Sequence, residues 1–315
     1  MPPAPPPPPP RKLAVFRGCD IRNPVSISST ILGSVSENLK KHLAQLSKRG
    51  PHRVLVGDLS YAGIPGKVYA PAEGNSVPAV AFGHDWLKSV KTYHATLRHL
   101  ASWGIVVTAP DTETGFMPDH RGFAADLESA LQIASGVKLG HGKVTVSPSK
   151  LGVVGHGMGG GAAVLTAANN PRIKAVAALY PADTAPSSVE AARAVKAPGL
   201  IIAPGRPDLF GAGDPAKVAF HWGGEVVYRE IKGGNQAGFT EDTFLKLVVG
   251  QGIPQFSAQE TARGLLTGFL LHQLDNERKY SGFSEALAHA KNVTSYAGTE
   301  LADKADVKLS TSTRL

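Results

Sequence analysis

The chain has 315 residues, of which 42% are hydrophobic and 18% charged, and its one cysteine is Cys19. A chain of this length buries about three quarters of its unfolded surface, and one cysteine excludes a disulfide framework or a cysteine-built zinc site. No apolar run approaches the roughly 18 residues that span a bilayer, and the first residues lack the apolar stretch of a secretory signal. We therefore expect a soluble, cytoplasmic protein.

Nearly all of the net charge of +8 lies near the N-terminus. Residues 1–56 contain nine basic and two acidic residues, a net charge of +7, which leaves +1 for the rest of the chain. A nucleic-acid-binding protein usually distributes basic residues over its working surface. We therefore expect no nucleic-acid partner, and we assign the positive charge to an N-terminal extension.

That extension is predicted to cover residues 1–51. Eight of the first ten residues are proline, which favours an extended spacer or docking peptide. An amphipathic helix is predicted from Ser28 to Arg49, with its end at Gly50–Pro51. Its apolar stripe consists of Leu32, Val35, Leu39, Leu43 and Leu46, and Lys40, Lys41 and Lys48 lie off this stripe. Such a helix binds a protein partner or an anionic membrane as a peripheral protein, or packs on its own domain.

From residue 52 onward, predicted strands and helices alternate, which is typical of an α/β fold with a mostly parallel sheet covered on both faces. The predicted strands are 53–63, 67–72, 77–83, 105–111, 150–155, 173–181, 199–205 and 225–233. The predicted helices are Lys88–Trp103, Arg121–Ser135, Met158–Asn169 and Ala258–Leu274. The domain is predicted to span residues 52–284. Residues 285–315 lose this periodicity and are predicted to form a mobile C-terminal tail.

The most informative segment is the glycine-rich turn after the predicted strand 150–155. Gly155, Gly157 and Gly160 fit the G-x-G-x-x-G pattern of dinucleotide-binding folds, and Asp183 follows the next strand. That pattern normally follows the first strand of its sheet, whereas several strands come earlier here. The same turn fits the G-x-S-x-G nucleophile elbow of α/β-hydrolases, except that glycine occupies position 157. Both interpretations remain open from this segment alone.

Several separate segments resemble the cutinase-like polyester hydrolases, or PET hydrolase-like proteins, of the dienelactone hydrolase branch of the α/β-hydrolases. The resemblance runs from about Val77 to Phe283. The segments that carry it are Phe82-Gly83-His84, LASWGIVVTAPDTET (100–114), SPSKLGVVGHGMGGG (147–161), Leu200-Ile201-Ile202 with the loop after it, VVYREIKGGNQAGF (226–239) and LDNERKYSGF (274–283). The resemblance implies the α/β-hydrolase fold and carboxylic ester hydrolysis by a Ser–His–Asp triad.

Carried over by position, that triad is degenerate. Gly157 occupies the nucleophile position, Gln236 the histidine position, and Asp208 the retained acid position. A glutamine amide cannot act as a general base near neutral pH. The resemblance also implies an oxyanion hole formed by the backbone N–H groups of His84 and Met158. A helix that begins near Met158 favours anions as well, so this site is predicted to hold a carboxylate or an ester carbonyl without cleaving it.

Two neighbouring residues complete the site hypotheses. Asp85 is a candidate alternative nucleophile, although it lies in the early loop and not on the elbow, and Trp86 is expected to pack over the pocket. His156 is expected to be a buried structural histidine. We therefore expect a catalytically inactive hydrolase relative that binds an acyl or ester ligand or a protein partner, without metal or cofactor. The alternatives are an ester hydrolase with a non-standard nucleophile and a dinucleotide-binding protein.

Overall fold

The fold is described from a computed structural model, which covers residues 29–205, 213–241 and 255–307; of residues 29–37 only the backbone is described. The strands are β1 (Val54–Asp58), β2 (Gly66–Pro71), β3 (Gly74–Gly83), β4 (Val106–Pro110), β5 (Val144–His156), β6 (Ile173–Leu179), β7 (Gly199–Pro204), β8 (Val226–Ile231) and β9 (Val293–Tyr296). The helices are α1 (Ser29–Leu46), α2 (His94–Ser102), α3 (His120–Gly136), α4 (Met158–Asn169), α5 (Ser188–Ala192), α6 (Pro215–Phe220), α7 (Gln236–Phe239), α8 (Phe256–Asp275) and α9 (Gly298–Lys304). Short 3₁₀ helices cover Leu59–Ala62, Val90–Tyr93 and Arg278–Phe283.

The described strands form one sheet in the order β1-β2-β4-β3-β5-β6-β7-β8-β9. The strands from β4 to β8 in this order are parallel, while β1, β2 and β9 pair antiparallel at the two edges. Helices α1, α2 and α8 pack on one face, and α3, α4, α6 and α9 on the other. Since both faces are covered, the central strands are almost continuously apolar. This architecture confirms the predicted α/β-hydrolase fold class.

Helix α1 packs on its own domain. It ends at Leu46, three residues earlier than predicted. Leu39, Leu43 and Leu46 of the predicted stripe are buried in the core, against α8 and the 3₁₀ helix after it. The stripe is therefore occupied by the body of the chain, at least over its described second half. None of the helices in the described ranges is both long and apolar enough to cross a bilayer.

Helix α2 fixes the segment that follows α1. The buried His99 ring donates from Nε2 to the carbonyl of Leu46 at 2.9 Å, and the Trp103 indole donates to the carbonyl of Lys48 at 2.9 Å. The His52 backbone N–H donates to the carbonyl of Ser102 at 3.0 Å. Burial, with the charge of Arg263 adding to it, lowers the pKa of His99 from 6.5 to about 4, so the ring is neutral and its Nε2 proton is available for Leu46.

The predicted C-terminal tail is wrong for residues 285–307, which belong to the domain. Strand β9 extends the sheet beside β8, and Leu301 and Ala305, in and just after α9, lie in the core. The guanidinium of Arg229 on β8 is fully buried and donates to a ring of oxygens on this segment: the carbonyls of Gly282, Glu285, Ala286 and Ala288 and the hydroxyl of Ser295. Burial lowers the pKa of Arg229 to about 9, yet the group remains a cation at neutral pH.

Two other elements differ in extent from their predictions. Strand β5 begins at Val144, not at residue 150. Its first half pairs irregularly with the start of β3 and contains Ser, Pro and Lys instead of an apolar run, so the hydrophobic pattern did not predict it. The predicted helix Lys88–Trp103 begins with the 3₁₀ turn Val90–Tyr93 before α2. The central strands β6, β7 and β8 lie within the predicted ranges.

Candidate functional site

The elbow lies between β5 and α4, near the middle of the sheet. Strand β5 ends at His156, α4 begins at Met158, and Gly157 between them has φ of 54° and ψ of −119°. L-residues rarely adopt this backbone conformation, and glycine adopts it at little cost. The structure thus has the sharp strand-to-helix turn of a nucleophile elbow, with no side chain at its apex.

The neighbouring glycines allow α4 to approach the sheet closely. A Cβ atom on Gly155 would lie 2.0 Å from the carbonyl oxygen of Gly159, and one on Gly159 would lie 2.2 Å from the carbonyl of Gly83. Both positions therefore require glycine, because at each one a Cβ atom would overlap the backbone of another segment. Packing explains these two glycines without a bound pyrophosphate, and β5 lies in the centre of the sheet, unlike the first strand that a dinucleotide motif normally follows.

The carboxylate of Asp85 occupies the space directly above Gly157. A Cβ atom at position 157 would lie 2.0 Å from Oδ1 and 2.6 Å from Oδ2. Oδ1 accepts hydrogen bonds from the backbone N–H of Met158 at 2.9 Å and of Trp86 at 2.8 Å, and Oδ2 accepts one from Gln236 Nε2 at 2.8 Å. Asp85 lies in the early loop after β3, as expected, but β3 is the neighbour of β5, and the side chain therefore reaches across to the elbow.

This arrangement changes what the predicted oxyanion donors do. The Met158 N–H, at the N-terminus of the 12-residue helix α4, already donates to a carboxylate of the same chain. The combination of a helix N–H that has no acceptor within its own helix, the helix dipole and a side-chain amide suits an anion, as the sequence predicts for this site. The anion is Asp85, which is only 8% exposed. In this conformation the predicted site is closed to an external carboxylate or ester carbonyl at Met158.

His156 lies behind the carboxylate and is fully buried. Its Nδ1 is 2.8 Å from the Tyr93 hydroxyl and 3.9 Å from Asp85 Oδ2, and its Nε2 is 3.1 Å from the carbonyl of Gln236. Because that carbonyl only accepts, Nε2 carries the proton and Nδ1 accepts from Tyr93. The ring also contacts the rings of Tyr93, Tyr180 and Phe239. The expectation of a buried structural histidine is confirmed.

Tyr93 is a site residue that the sequence analysis missed. Its hydroxyl accepts from the backbone N–H of Asp85 at 3.0 Å while it contacts His156, and so it joins the early loop to the elbow. No local motif indicates this role, because Tyr93 comes from the 3₁₀ turn before α2. Only the apposition of this turn with the end of β5 identifies it.

The His84 side chain holds the early loop in place. Its Nδ1 is 2.8 Å from the carbonyl of Asp85, its Nε2 is 2.7 Å from the carbonyl of Thr112, and its ring lies 4.7 Å from that of Phe123. The side chain is completely buried and therefore contributes to the shape of the loop. The loops after β3 and after β4 are thus tied together through one ring.

Exposed apolar side chains lie beside the elbow and the Asp85 carboxylate that occupies it. The indole of Trp86 donates to the carbonyl of Phe116 at 3.0 Å, and the two rings are 5.3 Å apart. Trp86 is 44% exposed, Leu87 48%, Phe116 74% and Met117 90%. We call these four residues the apolar rim. Trp86 packs on Phe116 at the surface, so it borders the elbow and leaves the space above Gly157 to Asp85.

The remaining predicted site residues fall into two groups. Gln236 begins α7, where Asn235 caps the helix by accepting from Gly238 N–H at 2.8 Å. The Gln236 amide donates to Asp85, so the structure brings the Gln236 and Gly157 positions together through the Asp85 carboxylate. Asp208 lies outside the described residues, as do residues 1–28 of the predicted extension.

Comparison with known proteins agrees with this geometry. A family model described as PET hydrolase-like matches residues 43–220. Cutinase est1 of Thermobifida alba is 32% identical over 117 residues, which are 37% of this chain and 39% of that protein. Cutinase 1 of Thermobifida cellulosilytica is 33% identical over 128 residues, 40% of this chain and 48% of that protein. The matched stretch is thus less than half of either relative. The family match covers more than half of this chain, which therefore belongs to the PET hydrolase-like family of α/β-hydrolases.

Proposed function

We propose that this chain binds an apolar ester or acyl ligand without cleaving it. The absence of cleavage rests on the Asp85 carboxylate above Gly157, 2.9 Å from the Met158 N–H, and the binding rests on the apolar rim beside the elbow. In acyl transfer, a backbone donor at this point stabilises the negative charge that develops on the carbonyl oxygen. A carboxylate already bound there competes for the donor and repels that charge.

The groups around Asp85 also lack the parts of a nucleophile–base pair. Gly157 has no side chain, and the Gln236 amide donates to Asp85 and does not take up protons near neutral pH. His156 is the nearest imidazole of the elbow, but it is fully buried and its Nδ1 is engaged with Tyr93. A serine mechanism needs an activated nucleophile beside an oriented base, and these positions supply neither.

The apolar rim supports ligand binding. Trp86, Leu87, Phe116 and Met117 form an exposed apolar group next to the elbow, and such groups on soluble domains mark interaction sites. The relatives are named cutinases and the family is described as PET hydrolase-like, so we propose an ester of apolar acids as the ligand class. A protein partner at the same rim is the alternative occupant.

The first experiment tests catalysis with the purified full chain. We expect no turnover of p-nitrophenyl butyrate above buffer and no labelling by a fluorophosphonate probe, because no activated serine lies at the elbow. Stoichiometric labelling of any serine would contradict the proposal. Circular dichroism should show that the protein is folded, and a second, independent preparation should likewise show no turnover and no labelling.

The second experiment tests binding with bis(2-hydroxyethyl) terephthalate as the probe ester, measured by calorimetry. We expect saturable binding that weakens at least about tenfold in the Trp86→Ala/Phe116→Ala variant, since two aromatic contacts of about 1 kcal/mol each would be lost. Tyr61→Ala is the matched control, because Tyr61 is an exposed aromatic residue, at 95%, on the 3₁₀ turn after β1. Equal losses in both variants, or no binding at all, would refute the rim as an ester site.

A second candidate function follows from the same carboxylate acting as a nucleophile. The Asp85 carboxylate occupies the position where a side chain on residue 157 would begin, which is where the nucleophile of this fold is expected. Attack by the carboxylate on an ester carbonyl would break the acyl C–O bond, release an alkoxide that takes a proton from water, and form a mixed anhydride. Attack of water or hydroxide on this anhydride would then release the acid and regenerate the Asp85 carboxylate. Turnover by the wild-type chain that disappears in both Asp85→Asn and Asp85→Ala, with folding intact, would establish this function in place of the first.

A further inference from the structure

A cluster of basic side chains covers the outer side of α1 and the turn after it. Lys40 and Lys41 extend from the helix, and Lys48, Arg49, His52 and Arg53 follow in the turn that leads to β1. All six are exposed. No aspartate or glutamate occurs between residues 38 and 57. We call these six residues the basic face.

The Lys and Arg side chains of the basic face form no ion pairs with the described residues. Lysines elsewhere do: Lys67 lies 2.7 Å from Asp58, Lys150 2.6 Å from Asp275, and Lys304 2.5 Å from Glu230. The Lys and Arg charges of the basic face are therefore not directly paired with a carboxylate in the part of the protein that the structure describes, although Glu73, Asp275 and Glu277 line a pocket together with His52. A cluster of unpaired basic side chains produces a positive potential that extends about one Debye length, roughly 10 Å at 0.1 M salt.

The backbone beneath this cluster is held rigidly. The hydrogen bonds from His99, Trp103 and His52 described above tie residues 46–52 to α2, and the Gly50 N–H adds one to the Ser102 hydroxyl at 2.8 Å. A Cβ atom on Gly50 would lie only 2.2 Å from the Ser102 carbonyl oxygen, so the turn is pressed against α2. The backbone that carries Lys48, Arg49 and His52 is thus held against α2 and needs no ordering when it meets a partner.

The opposite side of α1 is not available for membrane insertion. Leu39, Leu43 and Leu46 are buried in the core against α8, and removing them would expose that core. The sequence left open whether the apolar stripe enters a membrane or packs on the domain, and the packing leaves only the charged side outward. Any docking at this surface is therefore electrostatic.

From these observations we propose that the basic face docks the protein on an anionic lipid bilayer. Each Lys or Arg held near such a surface contributes about 1 kcal/mol of attraction, and the fixed backbone lets several act together. Residues 38–53 contain no Phe, Tyr or Trp, so the face lacks the large aromatic side chains on which single-stranded nucleic acids stack. This inference is independent of the proposed ester binding, since the basic face lies on α1 and the rim follows β3 and β4.

The test is sedimentation of the full chain with vesicles of phosphatidylcholine, with and without phosphatidylglycerol. We expect binding only to the anionic vesicles, and its loss as ionic strength rises from about 0.1 M to about 0.5 M, because the Debye length falls below about 5 Å. The variant Lys40→Glu/Lys41→Glu/Lys48→Glu/Arg49→Glu should lower the partition coefficient at least about tenfold. If charge reversal impairs folding, the variant with glutamine at these four positions is used instead, and it should also lower the partition coefficient.

The matched control reverses four exposed basic residues elsewhere: Lys138→Glu, Lys143→Glu, Arg172→Glu and Lys196→Glu. It has the same net charge as the first variant and should keep binding within about twofold of wild type. Equal loss in both variants would mean that net charge alone acts, which overturns the proposal. Binding that is lost only on replacement of Arg11, Lys12, Arg17 and Arg22 would overturn it too, as would tighter binding to a single-stranded RNA oligonucleotide at equal phosphate concentration.

Discussion

Asp85 and Gly157 exclude any side chain at the apex of the elbow: the Asp85 Oδ1 atom lies 2.0 Å from where a Cβ on residue 157 would be. The carboxylate fits only because position 157 is glycine, and it is held there by three donors, namely Met158 N–H, Trp86 N–H and Gln236 Nε2. The two residues therefore have to be changed together before position 157 can carry a nucleophile.

Gly157→Ser alone should destabilise the protein. The new Cβ overlaps the Asp85 carboxylate, and the backbone φ of 54° is unfavourable for a residue other than glycine. We expect the free energy of unfolding in urea to fall by about 1–3 kcal/mol. Gly115→Ser is the control, because nothing lies within 4 Å of its Cβ and its φ is not in the restricted range; it should change stability by less than about 0.5 kcal/mol. Equal stability of both variants would mean that Asp85 moves aside freely.

A combined variant should acquire a reactive serine. Asp85→Gly removes the carboxylate, Gly157→Ser supplies the nucleophile, and Gln236→His places an imidazole where an amide now reaches the elbow. We expect this triple variant to react with a fluorophosphonate probe, identified by mass spectrometry at position 157. The double variant that keeps Asp85 should stay unlabelled, because the Met158 donor remains occupied. Labelling of that double variant at the same rate would show that Asp85 does not block the site.

Arg229→Met should loosen the C-terminal segment. The buried guanidinium donates to four carbonyl oxygens and one hydroxyl between Gly282 and Ser295, and methionine leaves these acceptors buried without donors. We expect a loss of at least about 3 kcal/mol in the free energy of unfolding and faster trypsin cleavage at Lys291. Arg193→Met, at an exposed ion pair, should have little effect. Unchanged cleavage at Lys291 would contradict the role assigned to Arg229.

His99 should make stability fall in mild acid. Its pKa in the folded protein is about 4 against 6.5 for the free group, so between these values the unfolded chain binds a proton that the folded chain does not. Stability contributed by the neutral ring is present above pH 6.5 and is lost as the pH falls toward 4, by up to about 1.4 kcal/mol per pH unit. We expect His99→Gln to flatten the pH dependence of urea unfolding between pH 6.5 and 4.5. The exposed His141→Gln should leave that slope unchanged, and an equal slope in wild type and His99→Gln would disprove the assignment.

The spacing of apolar residues was sufficient to predict the α/β architecture, because this spacing differs between buried strands and surface helices. Strands β6, β7 and β8 are short apolar runs between turn residues, and the turn Gly155–Gly160 is readable as strand, glycine, helix. The hydrophobic pattern did not predict the segment that is stabilised by residues far from it in the chain. Strand β9 has only four residues, and it is ordered because β8 supplies hydrogen-bond partners and Arg229 holds the segment before it.

By itself, the sequence determined the fold class, the glycine at the elbow and the amide at the expected base position, since residue identities and local periodicity carry that information. Only the tertiary structure decided what fills the elbow and where the apolar side of α1 goes. Both depend on contacts between residues far apart in the chain, Asp85 with Gly157 and Gln236, and Leu39, Leu43 and Leu46 with α8. Such contacts follow from how the layers pack around the sheet, and no local spacing encodes them.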